Sequence, residues 1–290
     1  MEVFKKMLKI KISYFVSWAL CLLSLAMVGA AQKSPELKPE EIVAKHIASI
    51  GTPEMLAVAA IRVIEGKSQA REVQTSFNTV QGKSLLASAA DKTLLKLSFP
   101  AISTGDYTGE LIGFDGKKLI IPNITAQGRS ALGNFVFSYK EIMKQGLFGG
   151  SLTSSWAMLD TKNKIAKLKY EGTKKIGDTN THILRCIPRG GSALTIKLFF
   201  DTETFRHLRT EYYEAFSPPV TVADEGRATE NRFNLVEDFS DFKRVSELTL
   251  PTTYKITYTA ETRRASKQFE WLMKFSRFAY TKQLQDDLFQ

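Results

Sequence analysis

The chain predicts a mainly β fold: one large antiparallel sheet of meander connectivity, with a few short α-helices packed into its concave side. Three observations carry that expectation. Between Lys164 and Tyr213, strand-like segments follow one another directly: Thr181 to Ile187 stops at Pro188-Arg189-Gly190-Gly191, Leu194, Ile196, Leu198 and Phe200 recur at every second position, and Asp201-Thr202-Glu203-Thr204 turns into a partner segment, Phe205 to Tyr213. Connections this short cannot hold a crossover helix, so the pairing is antiparallel and a nucleotide-binding parallel sheet is excluded. Phe135 to Asp160 breaks the alternation while remaining rich in bulky apolar residues, which places a helical interruption inside the meander.

Taken in order, the chain opens with a targeting pattern. Lys5, Lys6, Lys9 and Lys11 precede an almost continuous apolar run from Ile12 to Val28, and Gly29-Ala30-Ala31 supplies small residues for a signal peptidase. Cleavage is expected after Ala31, with Ala30 as the alternative site; an uncleaved anchor over Ile12 to Ala31 is the rival reading. Residues 32–290 are long enough for one large β domain or two small ones, and are expected to form a single exported domain. Beyond residue 31 only Cys186 remains, so the fold has no internal disulfide and holds by packing and hydrogen bonds.

Pro39 suits the first turn of a helix whose apolar face is Ile42, Val43, His46, Ile47 and Ile50, with Gly51 as its stop. From Leu56 to Phe99 strands are expected, with turns at Glu65-Gly66-Lys67, Gly82-Lys83 and Asp91-Lys92; Gly105-Asp106 and Asp115-Gly116-Lys117 mark further hairpins. In the interruption, Ser138 with Glu141 resembles a capping box, and Gly149-Gly150 is expected to end that helix before a second short one. Such short helices are unstable alone and are expected to lie in the sheet as a plug or lid. Ser217 to Gly226 predicts an exposed loop. Phe233 to Phe242, then Tyr254, Ile256 and Tyr258, then Phe269, Trp271, Met273 and Phe275 predict the closing strands, with a short turn at Asp286-Asp287-Leu288-Phe289.

The formal net charge is +10 at pH 7, and losing residues 1–31 leaves the chain basic but well mixed. No aromatic and basic interleaving of a nucleic-acid module is present, so nucleic acid is not an expected partner, whereas weak contact with anionic membrane surfaces is. The densest basic run, Lys162, Lys164, Lys167, Lys169, Lys174 and Lys175, fits a solvated strand face or a protected sheet edge. Catalytic patterns are lacking. His46, His182 and His207 have no paired metal-ligand spacing, although His182 and His207 are placed to approach each other across the meander. Gly128-Arg129-Ser130-Ala131-Leu132-Gly133 misses the nucleophile elbow by one position. Glu237, Asp238 and Asp241 fit the polar end of a strand and its turn. The expectation is a non-enzymatic protein without cofactor or metal.

An exported chain that runs from one amphipathic helix through a long meander, a helical insertion and more meander to a terminal Asp-Leu-Phe resembles the LolA/LppX-like superfamily of periplasmic lipoprotein carriers. Tyr170-Glu171-Gly172, Phe200-Asp201-Thr202-Glu203-Thr204 and Phe239 to Pro251 are similar to phrases of its outer membrane lipoprotein-sorting members. The resemblance implies a half-open antiparallel β-barrel of about eleven strands wrapped around short helices, an apolar cavity between them, and carriage or sensing of acyl chains. The partners it implies are lipid or lipoprotein acyl chains and a donor or acceptor protein of the cell envelope. The candidate lining of cavity or lid is Phe135, Phe137, Ile142, Leu147, Phe148 and Trp156 from the interruption, with Leu198, Phe200, Tyr254, Ile256, Trp271 and Met273 from the strands. These large side chains either fill a core solidly or leave a concave pocket. The residues alone favour the filled core; the resemblance implies the pocket. The alternative function is an envelope interaction or sensor module with a filled core. The arginine that fastens the lid in LolA-like carriers has three candidates, Arg62, Arg185 and Arg209.

Overall fold

The computed structural model describes residues 37–73, 79–101, 107–124, 128–216, 231–262, 265–281, 283 and 289. The signal segment, the hairpin at Gly105-Asp106, the loop from Ser217 to Gly226 and the turn at Asp286 to Leu288 lie outside them. Lys38–Gln290 pack as one unit.

Within that unit the chain forms α1 (Pro39–Ile50), α2 (Pro53–Val58), β1 (Ile61–Glu72), β2 (Val80–Ala89), β3 (Lys92–Ser98), β4 (Gly109–Phe114) and β5 (Leu119–Ile120). The insertion follows with α3 (Ala131–Ser138), α4 (Glu141–Lys144), 3-10 turns at Gly150–Leu152 and Ala157–Asp160, and α5 (Thr161–Lys164). The second meander is β6 (Ile165–Ile176), β7 (Thr179–Pro188), β8 (Thr195–Asp201), β9 (His207–Phe216), β10 (Asn231–Val245), β11 (Leu248–Glu261) and β12 (Ser266–Tyr280).

The strands make one curved antiparallel sheet of twelve rather than about eleven, in the order β5-β4-β3-β2-β1-β12-β11-β10-β9-β8-β7-β6, and the barrel does not close. Two meanders, β1 to β5 and β6 to β12, are therefore stitched together by β1 against β12, where Ala70 sits opposite Trp271 and Ser68 opposite Met273. That order has a direct consequence. β5 and β6 are the two edges, so the segment joining them has to travel across the whole sheet. Residues 128–164 lie on the concave face, and their apolar side chains become the core of that face.

Alternation explains which side chains meet the insertion. In β11, Leu248, Leu250, Tyr254, Ile256 and Tyr258 are buried while Thr249, Lys255 and Thr257 are only partly covered. α1 buries Ile42, Val43, His46 and Ile50, begins with Pro39 at its first turn and ends at Gly51. On the other face, Phe289 packs on Ala87 and Leu94.

Several local expectations are corrected. Glu65-Gly66-Lys67 is no turn: β1 runs straight through it, with a bulge against β12 at Glu65/Gly66. The glycine is there for close approach, because a Cβ at Gly66 would lie 2.2 Å from the Lys274 carbonyl oxygen. Gly82-Lys83 is likewise inside β2, and Pro53–Val58 is a helix where strand was expected to begin. Ser138 ends α3 instead of starting a helix; the cap is Ser130, whose hydroxyl accepts from the Gly133 N–H at 2.8 Å. Gly149 (φ +80°) and Gly150 (φ +49°) open a 3-10 turn. Phe269 to Phe275 is strand, as the aromatic alternation predicted.

Candidate functional site

The insertion is held on the sheet by a row of buried polar contacts from separate strands. At its start, Ser130 caps α3 and at the same time donates its hydroxyl to Glu110 Oε2 of β4 (2.6 Å). Glu110 also accepts from Tyr107 (2.5 Å), which in turn accepts from Trp271 Nε1–H (2.7 Å). Burial pushes the Glu110 carboxyl up to about 7, against the opposing effect of the Ser130 and Tyr107 hydroxyls.

In the middle, two ionisable groups are kept dry. Arg62 of β1 is 1% exposed and donates from Nε to the Ala59 carbonyl (2.9 Å) and from Nη1 to the Ser151 carbonyl (3.0 Å). Among the described residues no carboxylate pairs with it. Burial lowers its pKa to about 10. Glu237 of β10 is fully buried; Oε1 accepts from the Gly149 N–H (2.8 Å) and the Tyr254 hydroxyl, and Oε2 lies 2.6 Å from the Tyr212 hydroxyl. Tyr212 also lies 2.9 Å from the Leu147 carbonyl, which can only accept. One hydroxyl hydrogen cannot serve both acceptors. A protonated Glu237 resolves this by donating to Tyr212, which then donates to Leu147. Burial pushes the Glu237 carboxyl up to about 7, in keeping with that proton count.

At its far end, Ser154 N–H donates to Ser88 Oγ (2.9 Å), the Thr93 and Ser155 hydroxyls meet at 2.6 Å, and Lys164 Nζ joins the Ser155 carbonyl (2.9 Å) to Asp91 (2.8 Å). Trp156 Nε1–H donates to His46 Nε2 (3.0 Å) while His46 Nδ1 donates to the Phe205 carbonyl (3.0 Å). These partners fix the tautomer and leave no room for a second ring proton; burial, the larger effect, lowers His46 to about 4. His207 stacks on Trp156 at 4.7 Å, and the ring beside it is His46, at 6.0 Å, instead of the expected His182.

Eleven of the twelve sequence-predicted lining residues come together here. Phe135, Ile142, Leu147, Phe148 and Trp156 meet the sheet face that carries Leu198, Phe200, Tyr254, Ile256, Trp271 and Met273, and none of the eleven is more than 4% exposed. Phe137 is the correction: it is 51% exposed and lies under the Arg129 guanidinium at 3.9 Å. It stands two residues from Phe135, about 200° around α3, so the turn that buries Phe135 exposes it. Of the three candidate fastening arginines, only Arg62 reaches the insertion. Arg185 lies near Glu171 and Arg209 pairs with Asp238.

Sequence reasoning missed Glu110 and Glu237 as site residues. The signal was present: Glu110 is in phase with Ile112 and Phe114, and Glu237 with Leu235 and Phe239. An acid in phase with the apolar positions of a strand is a buried acid. The acidic cluster of Glu237, Asp238 and Asp241 is split by that alternation, with Asp238 on the other face and Asp241 bonded to Thr253 (2.6 Å).

Among solved structures, the chain is similar to a LolA superfamily protein from Nitrosomonas europaea (13% identity, TM-score 0.48, covering 88% of this chain and 98% of that one). It is also similar to a DUF1329 family protein from Desulfovibrio piger (12%, 0.45, 86% and 95%) and to a putative outer membrane lipoprotein-sorting protein domain from Vibrio parahaemolyticus (14%, 0.44, 86% and 95%). Two of these names meet the resemblance drawn from the sequence. No protein-family model and no curated protein matches the chain. With every TM-score below 0.5, the functional reading rests on the contacts described above.

Proposed function

We propose that the protein is a periplasmic, non-enzymatic binding protein for acyl chains of lipids or lipoproteins, seen in its closed state. The insertion is then a plug occupying the apolar site that an acyl chain takes when the plug moves. The observation that carries this reading is how the plug is fastened. A segment that only filled a core would be held best by apolar contacts, since a buried polar or charged group costs desolvation that a hydrophobic residue of similar size does not. Here Arg62, Glu237, Glu110 and His46 reach the plug from four separate elements. Lifting the plug returns those groups to water and recovers their desolvation, so opening costs less than uncovering the same area of purely apolar surface. The exposed apolar face is then available to an acyl chain.

The test is a covalent lock. The Thr93 and Ser155 hydroxyls lie 2.6 Å apart, so a Thr93→Cys Ser155→Cys pair bonds the plug to β3 when oxidised. The reduced protein is expected to take up a fluorescent fatty acid beneath the plug and the oxidised one to lose that equivalent. In parallel, mass spectrometry of organic extracts from protein purified without detergent from an exporting host is expected to find a lipid. Equal uptake in both redox forms, with empty extracts, overturns the proposal. It would favour the second reading, an envelope interaction module with a filled core, which the near-complete burial of the lining residues supports.

A further inference from the structure

The sealed face is not the molecule's one apolar concavity. A groove of about 480 Å³ lies at the β6 edge of the sheet, and none of the residues beneath the plug lines it. One wall is α1, through Val43 and Ile47; the floor is Met158 and Leu159 of the last 3-10 turn; the other wall is Ile165 and Leu168 of β6. Its volume falls in the range of ligand pockets. Its charged lining consists of Lys162, Lys167 and Glu40, and among the described residues neither lysine forms an ion pair, so the rim carries a net positive charge. We propose that this groove is a second, surface site for a long-chain fatty acid, with the chain on the apolar floor and the carboxylate at Lys162 and Lys167.

Two features choose this occupant over an acidic peptide. A peptide adding to the sheet edge needs a regular backbone ladder, and β6 is interrupted by irregularities at Ile165/Lys167 and Tyr170/Thr173. An acyl chain needs only continuous apolar contact and one anionic anchor, which the floor and the two lysines supply. With the plug shut, Met158, Val43 and Ile165 lie behind the groove's surface, and the apolar contact open to a chain is made by the partly exposed Ile47, Leu159 and Leu168.

The experiment titrates palmitate, below its aggregation concentration, by calorimetry into the full chain carrying the oxidised Thr93→Cys Ser155→Cys lock. One equivalent is expected to bind. Affinity is expected to fall at least tenfold in Lys162→Glu Lys167→Glu, which removes the anchor, and in Ala44→Trp, which fills the groove from an exposed α1 position that also lines it. Methyl palmitate is expected to bind more weakly than palmitate. Absence of binding to the locked chain, binding indifferent to both variants, or displacement of palmitate by a polyglutamate peptide each overturns the proposal. The unlocked chain separates this inference from the previous one. A second equivalent there reports the site beneath the plug; one equivalent in both forms upholds the groove alone; binding only after unlocking overturns the groove and upholds the plug.

Discussion

Glu237 and Arg62 set the chemistry of the sealed face at the scale of single residues. Burial raises the folded-state pKa of Glu237 to about 7, above the 4.5 of an unfolded chain. Its contribution to stability is therefore fully present below pH 4.5 and is lost as pH rises through 7. Glu110 acts in the same direction. His46 has the opposite shift, to about 4, so its contribution is present above pH 6.5 and lost as pH falls through 4. Between pH 4.5 and 6.5 these trends oppose each other; toward pH 8 only the carboxylates still cost. Glu237→Gln keeps an acceptor for Gly149 and a donor for Tyr212, and it mimics the neutral acid. Its unfolding free energy from urea titrations is expected to change less from pH 5 to pH 8 than the parent's, by an amount on the order of 1–3 kcal/mol. An identical pH profile would show that Glu237 is ionised in the folded protein.

Arg62→Leu tests the other charge. It leaves the Ser151 carbonyl without its donor, and an unpaired buried acceptor costs about 1–3 kcal/mol. Amide exchange around Gly149 to Trp156 is expected to speed up about tenfold while that of β10 and β11 stays as in the parent. Unchanged protection of the plug would remove Arg62 as its fastening.

At the scale of elements, the plug depends on backbone geometry at its turns. Gly146 has φ +63°, and a Cβ there would lie 1.8 Å from the Ser155 carbonyl oxygen. The turn after α4 therefore has to be glycine, both for the left-handed conformation and for the close approach of the Ser155 turn of the plug. Gly146→Ala is expected to lower stability in a urea titration by about 1–3 kcal/mol and to raise dye binding by the uncovered apolar face. A variant as stable as the parent would mean that this turn refolds locally without moving Ser155. β6 shows the same dependence of function on an element's position. As an edge strand it carries the lysine run, which discourages pairing with another sheet, and Lys164 at its foot is drawn inward to Asp91 and the Ser155 carbonyl.

At the scale of the whole molecule, the sheet order positions the plug. β5 and β6 are opposite edges, and the chain that joins them lies against the apolar face of the sheet, where its contacts with β1, β3 and β10 bury that face. The oxidised Thr93→Cys Ser155→Cys lock acts at this scale. It ties the crossing to β3 and is expected to raise the thermal midpoint while abolishing uptake beneath the plug. A raised midpoint with unchanged uptake would place the ligand elsewhere than beneath the plug.

The fold class, the antiparallel meander, α1 and the apolar character of the insertion were legible in the sequence, because period-2 alternation and short polar turns are local properties. The burial of eleven of the twelve proposed lining residues was legible for the same reason: large apolar residues in phase on a strand or in a helical interruption tend to be buried. What only the tertiary structure decided was which groups close the site. The pairing of β1 with β12 joins residues some two hundred positions apart, and that pairing sets which edges remain and where the insertion must cross. Arg62 was indistinguishable from Arg185 and Arg209 until the crossing placed Ser151 over it. Phe137 and Phe135 were indistinguishable until the rotation of α3 was set by contact. Glu237 and Glu110 become dry and plug-facing, with their carboxyls pushed up, because of burial, which is a property of the assembled layers and not of any local stretch of chain.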